Sequence, residues 1–317
     1  ACLVGSEMCI RDRLEKKRAF QWAFRGKQAE GEDMMSNEEK NTAVLEKKEL
    51  LLKMRNVPEL YVLMSVCTKQ PYVVCDPETF DDEILMFFTE EEAREKGKAL
   101  LEEKIPVSIV RVEEKQKLLF FTSLFTLGVN AILMANGGEE TLLQLEELVR
   151  RKSQEEQPEG TVWIENPQLQ LTSLYYAQEM RKQPNPQHDA NTAGLLDELL
   201  ADFKKGKFIM AVQKEEKGVP LAKMKDGNLY QPVFTDALEF QKFNRENKFR
   251  PIAVPAEKLA SLLVPDAKGV VLNIMSINLP FTINRTPAGA GPKASEGQVE
   301  AGQVETAPTE GEEPTMA

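Results

Sequence analysis

Histidine is almost missing from this sequence of 317 residues, which contains only His188. Serine–histidine–aspartate triads, cysteine–histidine pairs and multi-histidine metal sites would all have to use this one side chain. Because His188 lies in the proline-rich segment QPNPQHDAN, a solvated loop residue is its simplest interpretation. The shortage excludes most common catalytic constellations, and we predict no catalytic residue.

Cysteine is scarce as well, with four residues that form neither a Cys-x-x-Cys pair nor a metal-ligand spacing. Cys67 and Cys75 lie in neighbouring apolar runs, which predicts buried thiols. A redox pair is the alternative interpretation, but no base accompanies these thiols. Such cysteine usage is typical of a reducing compartment, so we expect a cytoplasmic protein.

Nucleotide and membrane signals are also missing. Gly137-Gly138 lies between a predicted buried strand and a predicted helix, a geometry that can bind phosphate, but G-x-G-x-x-G and a P-loop lysine are absent. We therefore predict no cofactor. The longest apolar run, 118–135, is interrupted by polar residues and glycine, which indicates core rather than a membrane span. The net charge of −11 opposes binding to nucleic acid or to an anionic membrane.

Acidic residues are abundant, and eight of them crowd the segment 76–92. One interpretation is a divalent-cation or carboxylate-pair site, but the ligand order and the glycine of an EF-hand loop are missing. A solvated loop followed by the acidic first turn of a helix explains the segment better. We predict no metal site.

The chain contains one pattern twice. ILMFFTEEEA begins at Ile84 and LYQPVFTDALEF begins at Leu229, and each is an apolar run followed by Phe-Thr and an acidic helix start. Predicted strands precede and follow each copy. An internal duplication of this kind predicts an α+β fold of two similar units, each a mixed β-sheet packed by helices.

Composition sets the predicted boundaries. We expect a first unit at 34–153, a linker with a helix at 154–190, and a second unit at 191–285. Residues 1–33 are predicted to be artefactual or disordered, because ACLVGSEMCIRDR resembles a translated sequencing-adapter remnant. Residues 286–317 contain no aromatic residue and repeat GQVE twice, which predicts a disordered acidic tail.

Two sets of residues stand out within the duplicated pattern. Thr89 and Thr235 are predicted as equivalent helix caps, the first forming a capping box with Glu92. The sequence also holds more phenylalanine than one small sheet needs, and core is the default interpretation. Any that stay exposed could form a partner surface. The candidates for this surface are Phe87, Phe88 and Phe234.

The ordered segments YVLMSV, FFTEEEA, IPVSIV and LGVNAILMANGG resemble the SseB N-terminal domain family of bacteria. PVFTDALEF and GVVLNIMSINLPFTI are similar to the same signatures in a second copy, although Asn273-Ile274 stands where many members have Asn-Pro. The resemblance implies tandem small α+β modules without an assigned reaction, and a link to serine sensitivity. It assigns no catalytic residue.

Two functions stay open at this stage. The first is a non-catalytic module that binds a protein or a small ligand. The alternative is an enzyme that acts on an amino-acid-type metabolite through carboxylates and backbone amides. A deep pocket with convergent carboxylates or lysines would favour the enzyme, whereas a shallow groove with exposed aromatic residues would favour the binding module.

Overall fold

The computed structural model describes residues 37–77, 79–151, 156, 162–182, 189–215, 218–284 and 299–301. They form an α+β fold with two mixed sheets, as the sequence predicts. Within these ranges, no helix combines the length and the apolar character needed to cross a membrane. The predicted N-terminal segment 1–33 and His188 lie outside the described residues.

The first unit is a five-strand path with two short strands beside it. Its helices are α1 (Asn37–Asn56), α2 (Glu90–Glu102), α3 (Glu114–Thr126) and α4 (Leu145–Leu148). Its strands are β1 (Glu59–Ser65), β2 (Gln70–Pro71), β3 (Val73–Cys75), β4 (Asp82–Phe87), β5 (Val107–Glu113), β6 (Ala131–Asn136) and β7 (Glu139–Gln144).

The helix α5 (Pro167–Arg181) connects the first unit to the second. The second unit has the helices α6 (Ala190–Lys205), α7 (Ala237–Phe243) and α8 (Ala256–Leu262). Its strands are β8 (Lys207–Gln213), β9 (Ala222–Lys223), β10 (Leu229–Phe234), β11 (Phe249–Pro255), β12 (Ala267–Leu272), β13 (Leu279–Ile283) and β14 (Val299–Ala301).

The two sheets have the same topology. The strands run β5-β1-β4-β6-β7 in the first sheet and β11-β8-β10-β12-β13 in the second. Among the described strands, each sheet has one parallel pair, formed by the third and fourth strands of the path: β4 with β6 and β10 with β12. Phe87 lies opposite Tyr61 and Phe234 lies opposite Ile209. The predicted duplication of the fold is therefore confirmed.

Central strands in these sheets are buried on both faces. In β4, Ile84 and Met86 face the main core, while Leu85 and Phe87 pack in a second cluster with Ala93 of α2. A parallel pair covered on both sides requires a continuous apolar run rather than an alternating one, which is the ILMF pattern of the sequence. The same reasoning applies to β10.

Helix α5, which lies within the segment 154–190 predicted as a linker with a helix, belongs to the core. Most of α5 is buried, and Leu171 and Leu174 share one apolar cluster with Leu124 of the first unit and Phe203 of the second. Gly128 shows how close the contact is, because a Cβ atom there would lie 2.7 Å from the carbonyl oxygen of Pro167. The two units therefore share a core through α5.

The tail also differs from its prediction. Residues Val299–Ala301 form β14, which pairs antiparallel with β13 at the edge of the second sheet. The expectation of a wholly disordered tail at 286–317 is therefore wrong for these three residues. The remaining residues of the tail lie outside the described ranges.

Candidate functional site

The residues that cap α2 and α7 occupy equivalent positions, but the cap of α7 lies one residue after the predicted Thr235. Thr89 caps α2, since its Oγ1 accepts from the amide of Glu92 at 3.3 Å. The cap of α7 is Asp236, whose Oδ1 accepts from the amides of Leu238 and Glu239 at 2.7 and 3.0 Å.

Thr235 is therefore not the equivalent cap. Strand register places Phe87 level with Phe234, so Thr235 occupies the position of Phe88. A carboxylate can accept from two amides of the first turn at once, which explains why Asp236 is the cap. Thr235 is fully buried, and its hydroxyl donates to Asp236 Oδ2 at 2.8 Å.

The predicted partner surface of Phe87, Phe88 and Phe234 is wrong. Phe87 and Phe234 are only 2% and 0% exposed. Phe88 is partly buried against the main core, and the ammonium group of Lys53 lies 3.8 Å from the centre of its ring. The reason is that Phe87 and Phe234 end central strands that are packed on both faces, and Phe88 follows Phe87 directly.

A buried polar network joins the two units around α5. The side-chain amide of Gln170 donates to the carbonyl oxygen of Thr126 at 3.0 Å and to Asp236 Oδ2 at 2.6 Å. In turn, Asn273 Nδ2 donates to Thr235 Oγ1 at 2.8 Å. Burial raises the pKa of the Asp236 carboxyl, against the hydrogen bond from the Glu239 amide, which lowers it.

A second set of contacts crosses the junction directly. Gln70 of the first unit donates through Nε2 to Glu239 Oε1 of the second at 2.9 Å. Ser276 donates to Oε2 of Glu239 at 2.6 Å, and Lys242 forms an ion pair with Oε1, the oxygen that Gln70 also binds, at 2.5 Å. Because Glu239 is buried, removing any of these partners would leave a charge or a donor poorly compensated.

Arg181 at the end of α5 clamps two turns together. Its Nη1 donates to the carbonyl oxygens of Cys67 and Ile277 at 2.9 and 2.6 Å, and its Nη2 donates to that of Asn278 at 3.0 Å. Cys67 lies in the turn after β1, whereas Ile277 and Asn278 lie in the turn before β13. The polar contacts of the junction thus hold the units in one arrangement.

The acidic segment is less solvated than its composition predicts. Asp81, Asp82 and Glu83 are 9%, 5% and 7% exposed, which corrects the expectation of a solvated loop. Asp81 accepts hydrogen bonds from the side-chain amides of Asn130 and Gln144. Within the described residues, no group of three or more histidine, cysteine or acidic side chains could hold a metal ion.

Glu83 is the most perturbed carboxyl group of this segment. Burial raises its pKa to about 7, with further contributions from the negative charges of Asp76, Asp81 and Glu140. The positive charge of Lys96 lowers the pKa of Glu83, although Lys96 also forms an ion pair with Glu140 at 2.8 Å. Glu83 is therefore a carboxyl group that changes its charge near neutral pH.

Two adjacent leucines of helix α3 are exposed to solvent. Leu118 is 69% exposed and Leu119 is 62% exposed. The helical spacing of Leu118, Phe121, Leu124 and Phe125 predicts one buried apolar face, and the exposure of Leu118 shows that this prediction is wrong for its first member. The buried stripe is instead Lys117, Phe121 and Leu124.

The burial of Lys117 sets this orientation. Its ammonium group donates to the carbonyl oxygens of Met54 at 2.8 Å and of Arg55 and Val57 at the end of α1. Burial lowers the pKa of the Lys117 ammonium. Lys117, Phe121 and Leu124 keep the spacing i, i+4, i+7 of a buried helix face. The pattern of apolar residues does not reveal this face, because its first member is a charged lysine.

The second unit provides an internal comparison. Helices α3 and α8 each begin directly after the edge strand, at Glu114 and Ala256. The fourth residue is buried in both, Lys117 in α3 and Leu259 in α8. The fifth and sixth positions, Leu118 and Leu119 in α3, are Ala260 and Ser261 in α8.

These features define an α+β protein of two similar units joined through a common core. Residues 183–285 match the family model of the SseB protein N-terminal domain, which confirms the predicted resemblance over the second unit. That the first unit is a second copy of this domain stays a prediction.

Other comparisons add little. No curated protein matches the chain. Among solved structures, a match is found to Tic22 from Plasmodium falciparum, with 14% sequence identity over 70% of this chain and 90% of that chain. The TM-score is 0.19, which is too low to support an argument about fold or function.

Proposed function

We propose that the protein is a non-catalytic binding module that recognises a partner protein through the outer face of α3. The observation that carries the proposal is the exposed pair Leu118 and Leu119, which the second unit replaces by Ala260 and Ser261. Single exposed apolar residues are common on protein surfaces. Two adjacent leucines that only one of two similar units carries are better explained by recognition.

The surroundings of α3 favour a preorganised surface. Lys117 fixes α3 to the end of α1, and Gln170 fixes its last residue, Thr126, to α5. A helix held from both ends loses little conformational entropy when a partner binds. A convex helix face with apolar side chains suits a groove on another protein better than it suits a small ligand.

Ion pairs of β5 and of the first turn of α3 support apolar recognition. Arg111 pairs with Glu59 at 3.4 Å, and Lys115 pairs with Glu113 at 3.0 Å. Because these charges are compensated within the protein, we expect an affinity that depends weakly on salt. The free, buried thiol of Cys67 is compatible with the proposed cytoplasmic location.

The test replaces the two exposed leucines of the first unit by the residues at the equivalent positions of the second unit. The double variant Leu118→Ala, Leu119→Ser should bind a partner captured from the native host at least about tenfold more weakly, since a buried leucine pair contributes more than about 1.4 kcal/mol. Its melting temperature should stay unchanged, because both side chains are exposed. Partner identity is obtained by mass spectrometry and affinity by calorimetry.

Leu262→Ser is the matched control, because Leu262 is an exposed leucine on the equivalent helix of the second unit. It should keep the wild-type affinity. If the double variant binds as tightly as the wild type, α3 is not the recognition surface. If the control loses affinity equally, a general loss of surface apolar area explains the effect.

A second candidate function is catalysis, and one observation favours it. The pKa of about 7 at Glu83 suits a general acid or base at neutral pH. Glu83 lies on a covered face of the sheet, where access for a substrate is restricted. A turnover screen with amino-acid-type metabolites tests this alternative. Activity in the wild type that Glu83→Gln abolishes would favour the enzyme over the binding module.

A further inference from the structure

The outer face of helix α1 carries two leucines that are exposed to solvent. Leu45 is 59% exposed and Leu52 is 56% exposed. Lys48 and Glu49 lie between them in the sequence and are exposed as well. Because the four residues follow the spacing i, i+3, i+4, i+7, they form one stripe along the helix, the α1 stripe.

The opposite face of α1 fixes the helix on the first unit. Leu50 and Met54 are buried in the main core. Lys47 forms an ion pair with Glu147 of α4 at 2.8 Å, and Arg55 donates to the carbonyl oxygen of Glu147 at 3.0 Å. The α1 stripe is therefore presented by a helix that is already in place, so little conformational entropy is lost when another helix packs on it.

The helix at the same place in the second unit, α6, has a different surface. Like α1, it directly precedes the first strand of its sheet path in the chain. The exposed positions of α6 hold alanine, asparagine, aspartate and lysine, and its leucines are buried or half-buried. Helix α6 packs against α5 and α8. Exposed leucines seven residues apart, as in α1, are typical of a helix that pairs with another helix.

The order of residues in the α1 stripe makes it complementary to itself. In an antiparallel pair of α1 helices centred between Lys48 and Glu49, Leu45 lies opposite Leu52 of the second copy. Lys48 then lies opposite Glu49 of the second copy, and the two-fold axis repeats both contacts. A parallel pair would place lysine against lysine and glutamate against glutamate. The charges therefore select the antiparallel orientation.

We propose that the α1 stripe is the interface of a symmetric dimer, in which α1 of a second copy of this chain packs antiparallel on α1. The occupant is a second copy, because the stripe matches itself both in its leucines and in its charges. The dimer uses a different helix from the α3 surface, and it does not rest on the proposed function.

Sedimentation equilibrium of the full chain tests the dimer. The wild type should change from monomer to dimer over roughly 1 to 500 μM. The double variant Leu45→Ala, Leu52→Ala should raise the dissociation constant at least about tenfold, because it removes both leucine pairs. Its melting temperature as a monomer should stay unchanged, since both side chains are exposed. Leu101→Ala, at an exposed leucine of α2, is the matched control and should dimerise like the wild type.

The charged residues test the orientation of the two helices. Lys48→Glu and Glu49→Lys should each weaken the dimer at least about fivefold, because each variant places like charges opposite each other twice. A mixture of the two variants should form a mixed dimer, since two glutamates of one copy then face two lysines of the other. The double variant Lys48→Glu, Glu49→Lys should recover the wild-type affinity, because it keeps both pairs of opposite charge.

Four results would overturn the proposal. A wild type that stays monomeric at the highest concentration would mean that no second copy binds. A dimer that the leucine variant leaves unchanged would place the interface elsewhere. A lower melting temperature of the monomeric leucine variant would mean that another segment of the same chain packs on the stripe. Failure of the two charge variants to associate when mixed would contradict the antiparallel register.

Discussion

Glu83 shows how one buried side chain can link the stability of this protein to pH. An isolated glutamate has a pKa of about 4.3, whereas burial and the charges of Asp76, Asp81 and Glu140 raise the pKa of Glu83 to about 7. Folding therefore favours the protonated form. The stabilisation is fully present below the unfolded pKa and is lost as pH rises through the folded pKa.

Replacing Glu83 by Gln should remove this dependence. At pH 8 the variant should be more stable than the wild type by roughly 2 to 3 kcal/mol, because the neutral amide avoids burying a charge. At pH 4 the two proteins should differ little. Urea unfolding across this range measures the difference. Glu95→Gln on the exposed face of α2 is the control, and an equal response in both variants would contradict the assignment.

The caps of α2 and α7 allow a second comparison of single residues. Asp236→Ala should destabilise the protein by about 2 kcal/mol or more, because it removes a cap and leaves the buried amide of Gln170 without one acceptor. Thr89→Ala should cost about 1 kcal/mol, because that cap is exposed to solvent. Denaturant unfolding of both variants gives the two values. A larger loss for Thr89→Ala would contradict the difference in burial.

At the scale of elements, helix α5 decides whether the units are independent. Leu174 is 1% exposed and belongs to the cluster that contains side chains from both units. Leu174→Ala should therefore cost about 2 to 5 kcal/mol and destabilise both units equally. Hydrogen exchange in β1 and β8 provides separate readouts. Faster exchange in only one of these strands would show that the cores are separate.

The strands β4 and β10, and the helix that follows each of them, can be predicted from the sequence. Apolar runs with flanking turn residues mark β4 and β10, and the acidic residues after Thr89 mark the start of α2. The cap of α7 is less predictable, because Thr235 and Asp236 are both good capping residues. Only the strand register distinguishes them.

Burial of polar residues is the part that the sequence could not predict. Gln170 and Ser173 make α5 look like an exposed linker helix, but their partners come from distant segments or from the turn before. Lys117 conceals the buried face of α3 in the same way, since its acceptors lie at the end of α1. These positions depend on tertiary hydrogen bonds that periodicity does not report.

At the scale of the whole molecule, the structure combines a fixed scaffold with two surfaces that differ between similar units. The junction around Gln170, Glu239 and Arg181 holds the units in one arrangement. The exposed leucine pair of α3 is replaced by Ala260 and Ser261 in α8, and residues Val299–Ala301 of the tail pair with β13 of the second sheet.

The most direct test of recognition through α3 is amide hydrogen exchange of the full chain with and without its captured partner. We predict slower exchange in the peptide that covers residues 114–126, and no change in the peptide that covers α8. Protection confined to the acidic segment around Glu83, or to the edge strand β13, would contradict the proposed binding surface.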